Sequence, residues 1–446
     1  MKPFFEKISS LATSVHRKSN QPSVALQAYQ LMRQLSAVAI SIGLAKSSLS
    51  LGQIGAWEQL LFIGTTCTFF WVTGLLHGML PIYPNLPENQ RKSLIFNVFV
   101  VFNGLATGLF LLLFFGKNWI VPALTGRPEL EHFDLFVLWL CIGLPSYPVE
   151  HYFLLKEKGC AIFWWGIFGF GGQICCAVLP IWLGFGLHGA LIALISLSAA
   201  RWFFSAYLTV RWGKLFLDKS LIISYLQISW PIMANQIAGS FVLFFDAWLV
   251  GHYFHDEAAF AVFRYGAREF PLALALSTGL ATAMVPRLAA DFSTGLDELR
   301  SRDRKLMHLV FPAVIGLLLL SKWLFPLVFN PNFGASVPIF NLFLLISASR
   351  LVMTYPAMLA LGEVRAVFWV TILEILVKIA LGFWLIKIGG LPGLALANVL
   401  AFWVEKIGQM LFLWKKHGVL PGQILDLRLF LGYSAAMLAA WAVSCL

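Results

Sequence analysis

The chain has 446 residues, of which 59% are hydrophobic and only 12% are charged. Globular proteins have about a quarter of their residues charged, so this composition indicates an integral membrane protein and excludes a soluble globular one. The formal net charge is +11, from 32 Lys and Arg against 21 Asp and Glu.

The N-terminal segment is predicted to be a short cytoplasmic lead-in, residues 1–24. Its first 22 residues carry charges at Lys2, Glu6, Lys7, Arg17 and Lys18. These charges leave no uninterrupted apolar core before a small-residue cleavage site, so no signal peptide is predicted.

Apolar runs of the length that spans a bilayer, about 20 residues, then recur along the whole chain. The predicted spans are 26–48, 57–80, 93–116, 134–155, 161–183, 187–210, 221–250, 258–287, 306–329, 336–361, 366–387, 391–414 and 427–446. The sequence therefore predicts an all-α polytopic protein with twelve spans and a thirteenth at the C-terminus.

The positive charge is explained by topology. With a cytoplasmic N-terminus, Lys and Arg divide as 21 cytoplasmic, 5 outer and 6 within spans, and Asp and Glu as 10, 6 and 5. The cytoplasmic surplus, 21 − 10 = +11, equals the net charge, as the positive-inside rule expects. No nucleic-acid partner is needed.

The loops are too short to hold a catalytic domain. None exceeds about 20 residues, and no phosphate-binding Gly-Lys-Ser/Thr loop occurs. The six cysteines show no metal-ligand or redox spacing. The prediction is a protein that is not an enzyme and that has no cofactor and no metal site.

Two sequence matches indicate an internal duplication. "GMLPIYP" (78–84) and "AMVPRLA" (283–289) end the second and eighth spans, and "GLHGALIAL" (186–194) and "GLPGLALAN" (390–398) open the sixth and twelfth. A shift of six spans preserves direction, which predicts two parallel six-helix halves around a central site. We expect an N-terminal lobe at 25–215, a C-terminal lobe at 216–416 and an additional helix at 417–446.

The seventh and eighth spans resemble a known superfamily. The stretch "SWPIMANQIAGSFVLFFDAWLVGHYFHDEAAFAVFRYGAREFPLALALSTGLATAMVPRLA" (229–289) has Pro231, Asp246, Tyr265 and Pro286 at characteristic places. With "LGQIGAWEQLLFIGTTCTFFWVTGLLHGMLP" (51–81), it is similar to the multidrug/oligosaccharidyl-lipid/polysaccharide (MOP) exporter superfamily, especially its Wzx-like O-antigen flippases. The resemblance covers about residues 25–415.

This resemblance implies two six-helix lobes around a cavity that opens alternately to each side of a bacterial cytoplasmic membrane. In the flippase branch the cargo is a polyprenyl-diphosphate-linked oligosaccharide used for O-antigen, lipopolysaccharide or other surface polysaccharide. Membrane lipids and polysaccharide polymerase machinery are the partners that it implies. No cavity motif of the superfamily can be laid over this chain, so the site residues are predicted from their chemistry.

Charges within spans are costly, about 2.5–3.5 kcal/mol each, and by default face a cavity or a partner. The candidates are Glu150, Arg201, Asp246, Arg264, Arg268, Glu269, Arg350, Glu374, Lys378, Glu405 and Lys406. Asp246 and Arg264 lie equally far from the tip of their hairpin, so Arg264 either pairs with Asp246 or binds the cargo as a cavity cation.

The remaining cations leave alternatives open. Arg268 follows Arg264 by i, i+4 on one helix face and is a cavity candidate or part of a second ion pair. Arg350, near the middle of its span, faces the cavity or pairs with an acid such as Glu374. Glu374 and Lys378 form a favourable i, i+4 pair, so they either neutralise each other or serve ion coupling with Asp246.

Arg33 and His77 lie near the inner ends of the first two spans, where either could contact a lipid headgroup that enters from the cytoplasm. The alternative for Arg33 is an ordinary positive-inside anchor, and for His77 it is a hydrogen-bonded residue at the membrane interface. Arg201 and Glu405 occupy equivalent positions of the two halves.

Three other functions compete with the flippase. An ion-coupled drug or metabolite antiporter of the same superfamily needs exposed cavity carboxylates, for which Asp246, Glu150 and Glu374 are available. A membrane glycosyltransferase or polymerase needs a loop domain or clustered carboxylates that the short loops do not offer. A membrane scaffold would not transport.

Overall fold

The computed structural model describes residues 22–445, and every regular element in this range is helical. The helices are α1 (Pro22–Ala45), α2 (Leu51–Ile82), α3 (Glu88–Thr125), α4 (Phe133–Gly143), α5 (Val149–Leu155), α6 (Gly159–Trp182), α7 (Gly186–Trp212), α8 (Lys219–Phe254), α9 (Glu257–Gly266), α10 (Pro271–Ala290), α11 (Phe292–Val328), α12 (Val337–Arg350), α13 (Thr354–Ala360), α14 (Val364–His417), α15 (Pro421–Ile424) and α16 (Leu427–Cys445). Short 3-10 helices occupy Tyr83–Asn85, Leu144–Ser146 and Pro331–Ser336. The predicted lead-in lies almost entirely outside the described residues.

Ten helical segments of residues 22–445 are long and apolar enough to cross a membrane. One of them, α14, has 54 residues and joins the predicted eleventh and twelfth spans at Gly390, whose φ of 58° and ψ of −140° interrupt the helical conformation. The helix at the predicted thirteenth span, α16, is among the ten, whereas α1 and α8 are not. The predicted fold class, an all-α multi-pass membrane protein, is confirmed.

Local sequence sets several helix ends. At the start of α2, the Ser50 side chain accepts a hydrogen bond from the Gln53 amide while the Gln53 side chain accepts one from the Ser50 amide. This reciprocal capping box satisfies two backbone donors. At their C-terminal ends, α3 and α14 stop at Gly126 and Gly418, which adopt the left-handed conformation that glycine reaches without steric cost.

The predicted eighth span is two helices, so the prediction of one continuous span is wrong. Proline disfavours helical backbone at the preceding residue, and Phe270, before Pro271, is extended with a ψ of 110°. Gly266 packs so tightly that a Cβ there would lie 2.7 Å from the carbonyl oxygen of Ser336. Arg268 lies in the non-helical segment, and its predicted i, i+4 relation to Arg264 is therefore wrong.

The predicted fourth and tenth spans are broken as well. The fourth comprises α4, a 3-10 turn and α5, and the tenth comprises α12 and α13. A Tyr-Pro dipeptide accompanies each break, Tyr147-Pro148 and Tyr355-Pro356. Proline removes a helical hydrogen bond and clashes with the preceding turn, which favours a break at these points.

The chain divides into two compact units, the first ending at Phe244 and the second beginning at Phe245. The division falls inside α8. The lobe bounds at 25–215 and 216–416 and the separate segment 417–446 stay predictions.

A buried apolar cluster in the first unit joins α1, α5, α6 and α7. Its members are Ala25, Tyr29, Val149, Phe153, Ile162, Phe170 and Leu208. Tyr29 is almost fully buried, and Arg33 follows it by one helical turn. Packing of Tyr29 therefore fixes the face on which α1 carries Arg33.

Candidate functional site

The first unit contains a cavity of about 590 Å³, within the range of about 300–1,000 Å³ found for small-ligand sites. Its polar lining consists of Tyr29, Gln30, Arg33, Thr65, Thr68, Thr73, His77, Tyr147, Glu150, His151 and Gln173. The break between α4 and α5 brings Tyr147 and Glu150 to this wall.

Two guanidinium groups and one carboxylate determine the charge at this cavity. Glu150 is buried, and both Arg201 and Arg33 lie close enough to interact with its charge. The Arg33 side chain is exposed to the cavity and has no hydrogen bond or ion pair within residues 22–445. The local excess of positive charge can stabilise an anion.

Arg201 is held beside this cavity by an aromatic ring. Its guanidinium carbon lies 5.0 Å from the centre of the Trp165 ring, a cation–π distance. Its buried Nε has no hydrogen-bond partner among the described residues. Arg201 is thus a second cation whose hydrogen-bonding capacity is incompletely used.

Two histidines also belong to this cavity. His77 is exposed to it, in the same cavity as Arg33, so the structure brings these two predicted headgroup contacts together. His151, which sequence reasoning missed, is buried with its Nδ1 atom 3.8 Å from Oε1 of Glu150.

The second unit contains its own cavity, of about 600 Å³. Its polar lining consists of Ser277, Thr278, Thr282, Arg350, Tyr355, Glu405 and Lys406. The hydroxyl-bearing residues of α10 form one wall, the break between α12 and α13 forms another, and α14 provides the Glu405–Lys406 pair.

Arg350 lines this second cavity but is not a bare cation. Its Nε and Nη2 atoms donate to the two carboxylate oxygens of Glu269, at 3.1 and 2.9 Å. Its guanidinium also lies 4.6 Å from the centre of the Phe402 ring. The suggested partner Glu374 is therefore wrong: the partner is Glu269, which the break after α9 brings to Arg350.

Asp246 forms a buried ion pair with Lys378, whose Nζ lies 3.1 Å from Oδ2. The predicted partner of Asp246 was Arg264, which is wrong because α14 inserts the Lys378 ammonium beside the carboxylate. Lys378 also lies close enough to Glu374 to interact with its charge, so the structure adds Asp246 to the predicted Glu374–Lys378 pair. Glu374 is buried near Glu405 and Lys406.

Arg268 stacks on aromatic rings of the second unit. Its guanidinium carbon lies 4.9 Å from the centre of the Tyr265 ring and 5.6 Å from that of Phe329. Arg264 lies in the last turn of the short helix α9 and is partly buried. The lining of the second cavity described above includes neither arginine.

A hydrogen-bonded chain that sequence reasoning missed supports the second cavity. Thr354 donates to Gln409 at 2.6 Å, and Gln409 donates to Glu405 at 2.7 Å. Glu405 also lies 3.2 Å from the ammonium of Lys406. The only local signal for this region is the Tyr-Pro dipeptide at 355–356, which marks a helix break of the kind seen at 147–148.

No group of three or more His, Cys, Asp or Glu side chains within residues 22–445 is arranged to hold a metal ion.

Comparison with known proteins gives one family and several similar folds. Residues 87–338 match the model of a family described as "Polysaccharide biosynthesis protein". A comparison with curated proteins finds no match.

Among solved structures, "Lipid II flippase MurJ, inward closed conformation" aligns with a TM-score of 0.70 and 15% identity, over 93% of this chain and 91% of that one. A multidrug resistance MATE family transporter of the MOP superfamily aligns with a TM-score of 0.63 and 15% identity, over 89% and 98%. A MOP superfamily transporter from Pyrococcus furiosus aligns with a TM-score of 0.53 and 16% identity, over 89% and 96%. At these identities the likeness concerns the fold.

Proposed function

Because this chain belongs to the family of polysaccharide biosynthesis proteins and has the fold of MOP superfamily transporters, we propose that it is a flippase for polyprenyl-diphosphate-linked oligosaccharide. It moves this cargo by alternating access across the bacterial cytoplasmic membrane for surface polysaccharide such as O-antigen. Its N-terminus is cytoplasmic, as the division of Lys and Arg into 21 inner and 5 outer residues favours.

The observation that carries this proposal is the excess of guanidinium over carboxylate at the cavity of the first unit. A diphosphate is strongly hydrated in water, and a planar guanidinium replaces that hydration with bidentate, charge-assisted hydrogen bonds. The polyprenyl tail can stay in the lipid while the polar head uses the cavity.

Arg33 is the first candidate for the diphosphate contact. It faces the cavity, and no carboxylate within residues 22–445 forms an ion pair with it. Arg350 ranks below it because Glu269 already occupies two of its nitrogens. Arg264 and Arg268 remain proposed cargo contacts, and Asp246, Glu374 and Lys378 remain proposed for internal pairing or ion coupling.

An ion-coupled antiporter of the same superfamily is the second candidate. The observation in its favour is that one carboxylate oxygen each of Glu150 and Asp246 is buried without a hydrogen-bond partner in the described part of the chain. Such oxygens could accept a proton or a cation. Each carboxylate already has a cationic neighbour, however, which favours the flippase.

The test compares Arg33→Gln with Arg211→Gln, an exposed arginine that bonds Tyr207 on α7. Purified variants in phosphatidylcholine nanodiscs are titrated with polyprenyl diphosphate. We expect Arg33→Gln to weaken binding about 10- to 100-fold, because a hydrogen bond to a charged group contributes about 1.5–3 kcal/mol. Arg211→Gln should bind as the wild type does.

In cells, loss of the protein should cause lipid-linked glycan to accumulate on the inner leaflet, and Arg211→Gln but not Arg33→Gln should restore surface glycan. Unchanged diphosphate binding by Arg33→Gln would remove Arg33 from the site. Loss of drug resistance with normal glycan export would favour the antiporter.

A further inference from the structure

We infer that the cavity of the second unit is a separate binding site for neutral sugar residues. This inference rests on the proposed function. It places the sugar part of the lipid-linked cargo against the wall formed by α10, α14 and the break between α12 and α13.

The charges at this cavity are neutralised in pairs. Glu269 holds Arg350 through two hydrogen bonds, and Glu405 lies 3.2 Å from the Lys406 ammonium. Each charged side chain that lines the cavity therefore already has an opposite charge beside it, and the buried Glu374, near Glu405 and Lys406, is not part of the lining. The first cavity differs, since two guanidiniums approach one carboxylate.

Neutralised pairs still offer hydrogen bonds. The Arg350 and Glu269 side chains keep 26% and 22% of their surface exposed, and Nη1 of Arg350 has no hydrogen bond within residues 22–445. The Tyr355 hydroxyl likewise has none there, and Thr278 is exposed on the facing wall. Donors and acceptors placed side by side suit sugar hydroxyls, each of which can donate and accept.

The cavity also presents an aromatic surface. Tyr355 lies on its wall with 43% of its surface exposed, next to the apolar side chains of Val352 and Met353. An aromatic ring combines a large apolar face with a polar tip. The C–H face of a sugar ring can pack on this ring while its hydroxyls reach the polar groups.

The polar wall is supported from behind. Thr354, next to Tyr355, bonds to Gln409, which in turn bonds to Glu405. This chain ties the break between α12 and α13 to α14, so the aromatic ring and the Glu405–Lys406 pair are held in fixed relation. Such support preorganises a binding site.

The test uses the full-length protein in phosphatidylcholine nanodiscs and two probes. One is the neutral fraction of oligosaccharides released by mild acid from the lipid-linked pool of cells that need this protein for surface glycan. The other is inorganic diphosphate. We expect Tyr355→Ala, which removes the ring and the hydroxyl, to weaken oligosaccharide binding at least fivefold. Tyr355→Phe removes only the hydroxyl and should weaken it less, by about threefold, and neither variant should alter diphosphate binding.

A second variant guards against misfolding of Tyr355→Ala. Thr278→Val removes a cavity hydroxyl but keeps the side-chain shape, and it should weaken oligosaccharide binding at least threefold. Arg33→Gln, in the first cavity, should show the opposite pattern, with diphosphate binding lost and oligosaccharide binding retained.

Absent oligosaccharide binding, or binding unaffected by Thr278→Val and by any folded Tyr355→Ala, overturns the inference. Oligosaccharide binding that falls with Arg33→Gln also overturns it, because the sugars would then occupy the first cavity. The proposed function survives either result as long as diphosphate binds through Arg33. Failure of the wild type to bind diphosphate would instead count against the proposed function.

Discussion

Replacing Lys378 by Met should destabilise the second unit, because it leaves the Asp246 carboxylate buried without its ammonium partner. The two side chains are 3% and 11% exposed, and the N–O distance is 3.1 Å. At an effective dielectric constant of about 20, the attraction at this distance is about 5 kcal/mol. Loss of one partner of a buried pair costs about 3–5 kcal/mol, since the remaining charge stays desolvated.

Lys117 provides a control with the same chemistry and different burial. Its ammonium lies 3.0 Å from Asp134, but the two side chains are 42% and 52% exposed. Exposed pairs contribute about 0–1 kcal/mol. Lys117→Met should therefore have at most about a third of the effect of Lys378→Met.

The assay is the midpoint of thermal unfolding of the purified variants in one detergent, together with their abundance in the membrane. Adding Asp246→Asn to Lys378→Met should recover most of the lost stability, because the double variant buries no unpaired charge. A Lys378→Met midpoint equal to that of Lys117→Met would refute this reasoning. So would a double variant less stable than Lys378→Met alone.

Two further predictions concern the interruption inside α14 and the residue that precedes this helix. Gly390→Ala should lower the free energy of unfolding by about 1–3 kcal/mol, because Gly390 has a φ of 58° and a ψ of −140°. At its neighbour Gly389, an added Cβ would have no atom within 4 Å, so Gly389→Ala should leave the thermal midpoint unchanged. Equal midpoints for the two variants would contradict this prediction. Hydrogen bonds from Lys416 and His417 lower the pKa of Glu363, which lies in the loop before α14. The Glu363 carboxylate therefore stabilises the folded protein fully above the ordinary glutamate pKa of about 4.3. This stabilisation is lost as the pH falls through the lowered pKa of Glu363 in the folded protein. The difference in thermal midpoint between wild type and Glu363→Gln should therefore be constant from pH 7 to about pH 5 and shrink toward pH 3, and a difference independent of pH would contradict the assignment.

Much of the fold followed from short stretches of sequence. The apolar runs predicted a helical multi-pass protein because backbone groups in lipid must be satisfied within a helix or a closed barrel. The resemblance of 229–289 correctly predicted the fold of MOP superfamily transporters, and the chain belongs to a family of polysaccharide biosynthesis proteins, whereas the Wzx-like branch stays a proposal. Continuity of the helices was harder to predict: apolar residues lie on both sides of the break at 267–270, and the local signal there was Arg268 and Glu269 between Gly266 and Pro271.

The candidate site was predicted less well. Arg33 and His77 stood out in the sequence because each has an unusual charge or polarity near a helix end, and the structure places both at the cavity of the first unit. Their contact with a headgroup stays a prediction. Arg350 and Arg268 looked available for cargo in the sequence, but the structure places one on Glu269 and the other over Tyr265 and Phe329.

The sequence by itself determined that this chain is a helical membrane protein, because lipid imposes length, apolarity and internal backbone hydrogen bonding on each span. The tertiary structure alone decided which buried charges neutralise each other. Arg350 and Glu269 are 81 residues apart, and no helical periodicity reports the distance between side chains on different helices. A buried ion pair depends on that distance to within an ångström or so, and it is set by how broken helices such as α9–α10 and α12–α13 pack together.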